Sequence, residues 1–461
     1  METSTTGRVA DPGIRHLFSE DSQWQAWLDV EAALALAEAE RGLIPETAAQ
    51  VIQSFARIER FDKIRIHDSV RRTSHGLTPL IWELSRVCGE EAGGWVHWGA
   101  TTQNITQTGE LLIVRRVHRI LLKLLSKCLD SMADLADAGA DMLMAGRTHG
   151  QHAVPATFGF KVAVWIDEFI RHAERLRAVE PRVFVGMFGG AAGTFASLGA
   201  EGPAVQAIMS ARLGLEPMRV PARSLADHLA EYLCLTGLLG ATCGKIGREI
   251  YTLMKTEFGE LEEPILPGTV GSSTMPQKRN PHLCQDIIAG AAIVRSLVPL
   301  GLEAVQAEHE GDRTDSLMMG EATQRACVES GDILSRLELI LSGLRVNPDR
   351  MRENLDLSNG LIMAEGVMLR LGTIIGRQEA HELVYESAQR AAIPGSPSFA
   401  DLLSGDPRVT AHLPPDEIRE SLNPANYVGL CPELAHEGAA RAREASEQLI
   451  THAETLGSAE S

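Results

Sequence analysis

Two long stretches of this chain contain no proline, one between Pro79 and Pro155 and the other between Pro221 and Pro264. Proline breaks a helix interior, because it lacks an N–H and clashes with the preceding turn. These gaps are therefore where uninterrupted helices can run. Across residues 106–143 the apolar positions Ile113, Val117, Ile120, Leu124, Cys128, Met132 and Leu135 recur at helical spacing. Arg115, Arg116, Arg119, Lys123 and Lys127 occupy the other faces. The pattern predicts an amphipathic helix of roughly ten turns, far longer than the average globular helix. Residues 224–258 predict a second long helix. A third starts near Pro281 and continues past Pro299 with a kink. Residues 321–344 read as a further helix, and 22–42 as an Ala/Leu-rich one. Strand signals are almost absent.

Long antiparallel helices joined by polar loops imply an elongated bundle. The expected fold class is all-α, with three helical domains at 1–100, 101–345 and 346–461. The first would carry the N-terminal helices and the second the long central bundle. The third would hold shorter helices, because proline and glycine become more frequent there. A length of 461 residues agrees with about three domains. Several helix faces are richer in Ala, Leu and Gly than one chain can bury, which predicts self-association. No internal repeat or low-complexity tract is visible.

The formal charge of −18, from 43 basic and 61 acidic residues, argues against non-specific nucleic-acid binding and against an anionic membrane surface. An anionic substrate would need a locally positive site. No run approaching the roughly 18 apolar residues of a membrane span is evident. Met1-Glu2-Thr3-Ser4 shows no basic-then-apolar leader pattern, so a cytoplasmic location is expected. Seven cysteines without a C-x-x-C pair predict reduced, mostly buried thiols. The fifteen histidines form no H-E-x-x-H pattern, and Gly189-Gly190-Ala191-Ala192-Gly193 is not a dinucleotide fingerprint. No metal or cofactor is expected, and the glycine stretch reads as a place where chain segments approach closely.

The segment Gly271-Ser272-Ser273-Thr274-Met275-Pro276-Gln277-Lys278-Arg279-Asn280-Pro281 follows Pro264 and Pro267 and opens onto a helix. Its small residues offer backbone N–H groups, and a helix start favours anions. Lys278 adds a cation and Asn280 a neutral donor. Three more polar segments stand out: Trp95-Val96-His97-Trp98-Gly99-Ala100-Thr101-Thr102-Gln103-Asn104, Gly146-Arg147-Thr148-His149-Gly150-Gln151-His152-Ala153, and Phe188-Gly189-Gly190-Ala191-Ala192-Gly193-Thr194.

Together, and in this order, these segments resemble the signature regions of the fumarase/aspartase (aspartase/argininosuccinate lyase) superfamily. The resemblance covers nearly the whole chain. It is nearest the branch of adenylosuccinate lyases and 3-carboxy-cis,cis-muconate cycloisomerases, which Asn426-Tyr427-Val428-Gly429-Leu430 also fits. It implies a homotetramer with a twenty-helix core, each active site being built from three subunits around a small dicarboxylate. It implies Ser272 as the base, acting as an alkoxide held by backbone N–H groups and Lys278. Lys278 and Asn280 would bind the carboxylate that becomes an aci-acid, with Ser273 and Met275 beside them. Thr101, Thr102 and Asn104 would bind the other carboxylate. His149 would be the general acid, flanked by Thr148 and Gln151, while His75 and His97 would line the site. His152 reads as structural.

The departures from the pattern narrow the substrate. Gln285 stands where many superfamily members carry a Glu paired with the acid histidine, and a neutral amide cannot raise that histidine's pKa as a carboxylate does. Muconate cycloisomerases also lack that Glu. Gly76 replaces an Asp of adenylosuccinate lyases. Gly311 and Gly320 replace arginines, the second of which helps bind phosphate, so adenylosuccinate ranks low. Lys255 replaces a common Gln and is a candidate for binding an extra carboxylate or nitro-like group, or an exposed helix lysine. Arg313 is a candidate specificity residue, or a surface ion-pair partner. It lies in a segment without the tryptophans of cycloisomerases. The expectation is a cofactor-independent lyase that releases fumarate or an analogue from a succinyl-type adduct by β-elimination at a C–N or C–O bond. The alternatives are a lactonising cycloisomerase, adenylosuccinate lyase, or a structural protein on the same fold. Intact Ser272, Lys278, Asn280 and His149 speak against the last.

Overall fold

A computed structural model describes residues 2–458. Seven helices organise it: α1 (Glu20–Glu40), α2 (Thr102–Ala138), α3 (Phe158–Val183), α4 (Asp227–Leu253), α5 (His282–Glu303), α6 (Arg313–Gly343) and α7 (Cys431–Ser458). The fold is all-α in its core, and the few strands are short. The proline-free gaps hold α2 and α4, as the sequence requires. At 1.5 Å per residue, the 37 residues of α2 span about 55 Å. Helix α4 packs against α5, which in turn packs against α6, while α2 touches α3, α6 and α7. Apolar side chains from all of these, with those of α1, form one continuous buried cluster. A second cluster around Val367, Phe399 and Ile418 forms the compact part of the C-terminal region.

Three features depart from the sequence reading. Helix α2 stops at Ala138, with Gly139 capping it, rather than running to 143. The chain then forms an antiparallel hairpin of β1 (Leu143–Thr148) and β2 (Gln151–Thr157). Second, the chain does not end in short helices: α7 is 28 residues long and packs along α2 and α3. Ser446 there meets Ser126 at 2.8 Å. Third, α5 is long and apolar enough to cross a membrane, contrary to the expectation that no run comes near it. It carries Asp286, Arg295 and Pro299, and its buried side is occupied by α4 and α6. Five of the seven cysteines are buried, and all are free thiols.

Candidate active site

The predicted site residues fall at two ends of the bundle. At the start of α2, Asn104 is buried and its Oδ1 accepts N–H bonds from Thr101 at 3.0 Å and Gly190 at 3.2 Å. The first satisfies a donor of the helix start. The second ties the Gly189–Gly193 stretch to Thr101, and that stretch itself lies against Pro221 and Ala222. His75 sits beside them, with its Nε2 3.5 Å from Thr102 Oγ1 and its Nδ1 accepting from Thr78 N–H at 3.0 Å.

His97 precedes Thr101 by one tight turn, in which its carbonyl accepts from Ala100 N–H. Its φ of +64° is a region side chains rarely adopt. Its Nδ1 lies 2.6 Å from Oε1 of Glu31, a buried residue of α1. Burial is the largest single influence on His97 and would lower its pKa. The hydrogen bond and charge of Glu31 together overcome it and hold the imidazole above its ordinary value. Sequence reading missed Glu31. The available signal was a charge within an apolar helical face, because Leu34 and Ala35, three and four positions on, are both buried.

Arg223 was also missed. Its Nε donates to Gln103 Oε1 at 2.8 Å, and Gln103 Nε2 returns a bond to its carbonyl. Exposed Arg313 shares a cavity of about 470 Å³ with this pair, Glu110 and Gly320. Gly311 faces Arg223 and Gln103.

The opposite end carries the other two segments. His149 and Gly150 form the two-residue turn of the hairpin, with φ of +51° and +75°. Positive φ at both positions matches the right-handed strand twist and leaves His149 exposed at the tip. Thr148 and Gln151 flank it, also exposed. Arg147 anchors the hairpin to Glu260, which is fully buried. Among the described residues no carboxylate lies in ion-pair range of His149. His152 is half-buried, and its Nδ1 is buried without a partner.

The signature loop crosses itself at Gly271, where a Cβ would lie 2.1 Å from the Lys278 carbonyl, so only glycine fits. Ser272 Oγ accepts from the N–H groups of Met275 at 3.1 Å and Thr274 at 3.4 Å. Asn280 Nδ2 donates to the Gly271 carbonyl at 2.6 Å. Ser273, Met275 and Lys278 are exposed. Lys278, Asn280 and Gly271 line a cavity of about 330 Å³ with Glu262 and Glu263. Glu263 also caps α5 from outside, accepting from Leu283 and Cys284 N–H at 3.0 and 2.9 Å. Lys255 is exposed past the end of α4, its Nζ 5.8 Å from the centre of the Tyr251 ring.

Within one chain, then, Thr101, Thr102, Asn104, His75 and His97 gather at one end. Ser272, Lys278, Asn280 and His149 lie at the other, the length of α2 away.

A bundle of long helices with its polar segments on loops at both ends defines a fumarate-lyase type of fold. A family profile described as lyase matches residues 6–295, and one described as adenylosuccinate lyase C-terminus matches 360–437. N-acetyl-S-(2-succino)cysteine lyase of Dickeya dadantii is 40% identical, covering 92% of this chain and 93% of that protein. The 3-carboxy-cis,cis-muconate cycloisomerase of Pseudomonas aeruginosa is 39% identical, with 90% and 91% covered. The crystal structure of a Mesorhizobium fumarate lyase superposes with a TM-score of 0.87 at 37% identity, over 94% of this chain and 99% of that one. The chain belongs to the fumarase/aspartase superfamily and is a lyase-family enzyme of it.

Proposed function

We propose that this enzyme catalyses reversible β-elimination from a 2-succinyl adduct, releasing fumarate or a close analogue. Ser272 removes the proton next to a carboxylate. The carbanion spreads into that carboxylate as a dianionic aci-acid, held by Lys278 and Asn280, while Thr101, Thr102 and Asn104 hold the other carboxylate. Ser273, Met275, Thr148 and Gln151 complete the pocket, and His75, His97 and His149 lie toward the leaving group. Lys255 and Arg313 are candidates for contacts to the leaving group. Preorganised donors aimed at developing charge are usually the largest single contribution to catalysis.

The observation that most directly supports this reading is the pair of backbone N–H groups pointed at Ser272 Oγ. Such donors favour the charged form of a hydroxyl otherwise too weak to act as a base. The two half-sites stand at opposite ends of α2, a helix about 55 Å long, and this supports a homotetramer with active sites shared between three subunits, since one chain cannot bring them together. The thioether named for the relative at 40% identity adds C–S cleavage to the C–N and C–O chemistry expected.

The test is a panel of S-, N- and O-succinyl adducts, followed by the ultraviolet absorbance of fumarate. At least one should yield fumarate, and Ser272→Ala should abolish it while the assembled mass stays unchanged. A monomer in solution, or full activity in Ser272→Ala, would refute the reading. Lactone formation from carboxymuconate is the second reading, favoured by Gln285 and the cycloisomerase relative. Adenylosuccinate is disfavoured by Gly311 and Gly320, which supply no guanidinium for a phosphate.

A further inference from the structure

The residues assigned above hold the succinyl half of an adduct and leave recognition of the departing half open. Gln103 stands between Thr102 and Asn104, yet each helical residue is turned by about 100° from the last. Its side chain therefore leaves the carboxylate cluster and lines the cavity of about 470 Å³. Thr106, Gln107 and Glu110 continue this wall along α2 at helical spacing, and Trp27 and Leu229 give it an apolar side.

Arg223 is aimed at this cavity by contacts within its own chain. Its Nε donates to Gln103 Oε1 at 2.8 Å and its Nη1 to the Ala191 carbonyl at 3.0 Å. Gln103 Nε2 returns a bond to the Arg223 carbonyl at 2.8 Å. Ala191 follows Gly190, whose N–H is held by Asn104. The guanidinium is thus tied, through two residues, to the cluster that would hold a succinyl carboxylate. Neither of its two bonds uses Nη2, so one edge of the fork is left for a ligand. The approach depends on Gly311, whose φ is +136° and where a Cβ would lie 3.2 Å from the Arg223 Cβ. Gly320 lines the same cavity, and a Cβ there would meet nothing within 4 Å. Arg313, the first residue of α6, is a second cation on the lining.

We propose that this cavity receives the leaving group, and that Arg223, assisted by Arg313, binds a carboxylate which that group carries. The proposal rests on the β-elimination reading above and narrows its substrates to succinyl adducts of thiols, amines or alcohols that are themselves acids. A planar carboxylate matches the guanidinium fork. The acidic groups on the lining limit how much negative charge the cavity accepts. Asp315 is engaged at the start of α6, where it accepts from Ser316 N–H at 2.7 Å. Glu110 lies seven residues beyond Gln103, about 10 Å along the helix axis. These carboxyls disfavour a dianionic phosphate in the same place.

The experiment uses the intact oligomer and three matched adducts: the S-succinyl derivatives of 3-mercaptopropanoate, of its carboxamide and of 2-mercaptoethyl phosphate. One readout is kcat/KM from fumarate absorbance. The other is Kd by calorimetry on Ser272→Ala, which should bind without turnover. The carboxylate adduct should exceed the carboxamide by at least about tenfold in both, as expected for a hydrogen bond between charged groups. Arg223→Gln should bring that ratio close to one. Arg223→Lys should keep part of it, as a charge without the fork, and Arg313→Gln should reduce it less. Gly320→Phe, which extends into open space, should penalise bulky leaving groups more than small ones and tests the cavity independently of Arg223. A ratio near one in the parent, equal losses on carboxylate and carboxamide in Arg223→Gln, or a preference for the phosphate would overturn the assignment. So would a Gly320→Phe enzyme indifferent to leaving-group size, the result expected if a neighbouring subunit fills the cavity. Should no adduct yield fumarate while Arg223→Gln in the Ser272→Ala background still abolishes the Kd preference, the elimination reading fails and the carboxylate pocket stands.

Discussion

Glu260 is the residue whose removal should most cleanly separate the His149 hairpin from its support. It is fully buried, and its two oxygens face Arg147 at 2.5 and 3.1 Å. Oε1 also accepts from Asn354 Nδ2 at 2.7 Å, in the helix Pro348–Asp356. Arg147 in turn lies over the Phe258 ring, 5.1 Å from its centre. One carboxylate thus joins the hairpin, the segment after α4 and a C-terminal helix. Removing one partner of a buried pair costs about 3–5 kcal/mol, because the remaining charge is left uncompensated. Arg147 retains 15% exposure, so water can reach it, and the lower end of that range applies. About 3 kcal/mol corresponds to roughly two orders of magnitude in an opening equilibrium. In Glu260→Ala, amide hydrogen exchange over residues 143–157 should therefore accelerate by about a hundredfold, with the amides of α2 little changed. Turnover should fall as well, because His149 is two residues from Arg147. Replacing both partners, Arg147→Met with Glu260→Met, should recover most of the lost stability without the charge. Exchange in the hairpin within threefold of the parent would refute the argument that this pair anchors it.

Two further outcomes follow from buried polar groups. Glu38 is held at about 9 by burial first and by the Glu31 charge second, against an ordinary value of 4.5. The folded chain keeps a proton that the unfolded chain releases, so stability is complete below pH 4.5 and falls as pH rises toward 9. By pH 7 the loss is about 3 kcal/mol. Glu38→Met should therefore raise the melting temperature at pH 7, raise it more at pH 8 and give little at pH 4; a pH-independent gain would contradict the assignment. Asn104→Ala strips the acceptor from Thr101 N–H and from buried Gly190 N–H, at about 1–3 kcal/mol. Calorimetry should show the lower melting point and kinetics a raised KM for the dicarboxylate, and an unchanged KM would separate Asn104 from the site.

Much of this architecture is written in local pattern. Absence of proline and a 3.6-residue apolar period depend only on neighbours along the chain, so α2 and α4 could be read directly, as could the loop that ends at Pro281. The hairpin was missed because helical periodicity was carried past Gly139. Its own signals, His149-Gly150 at a two-residue turn and Pro155 in the second strand, are short and weak beside a ten-turn helix. The tail helix α7 was hidden by the proline and glycine of the segment before it.

The site divides in the same way. Sequence alone named the chemistry-bearing segments, because a loop that must present small N–H-rich residues, a cation and an amide has few solutions. Tertiary structure decided which of them meet. It set Glu31 against His97 and Glu260 against Arg147, across 66 and 113 residues of chain. It also placed Thr101 and His149 at opposite ends of one rigid rod. No periodicity encodes such pairings, since they depend on how helix faces pack rather than on what lies next in sequence.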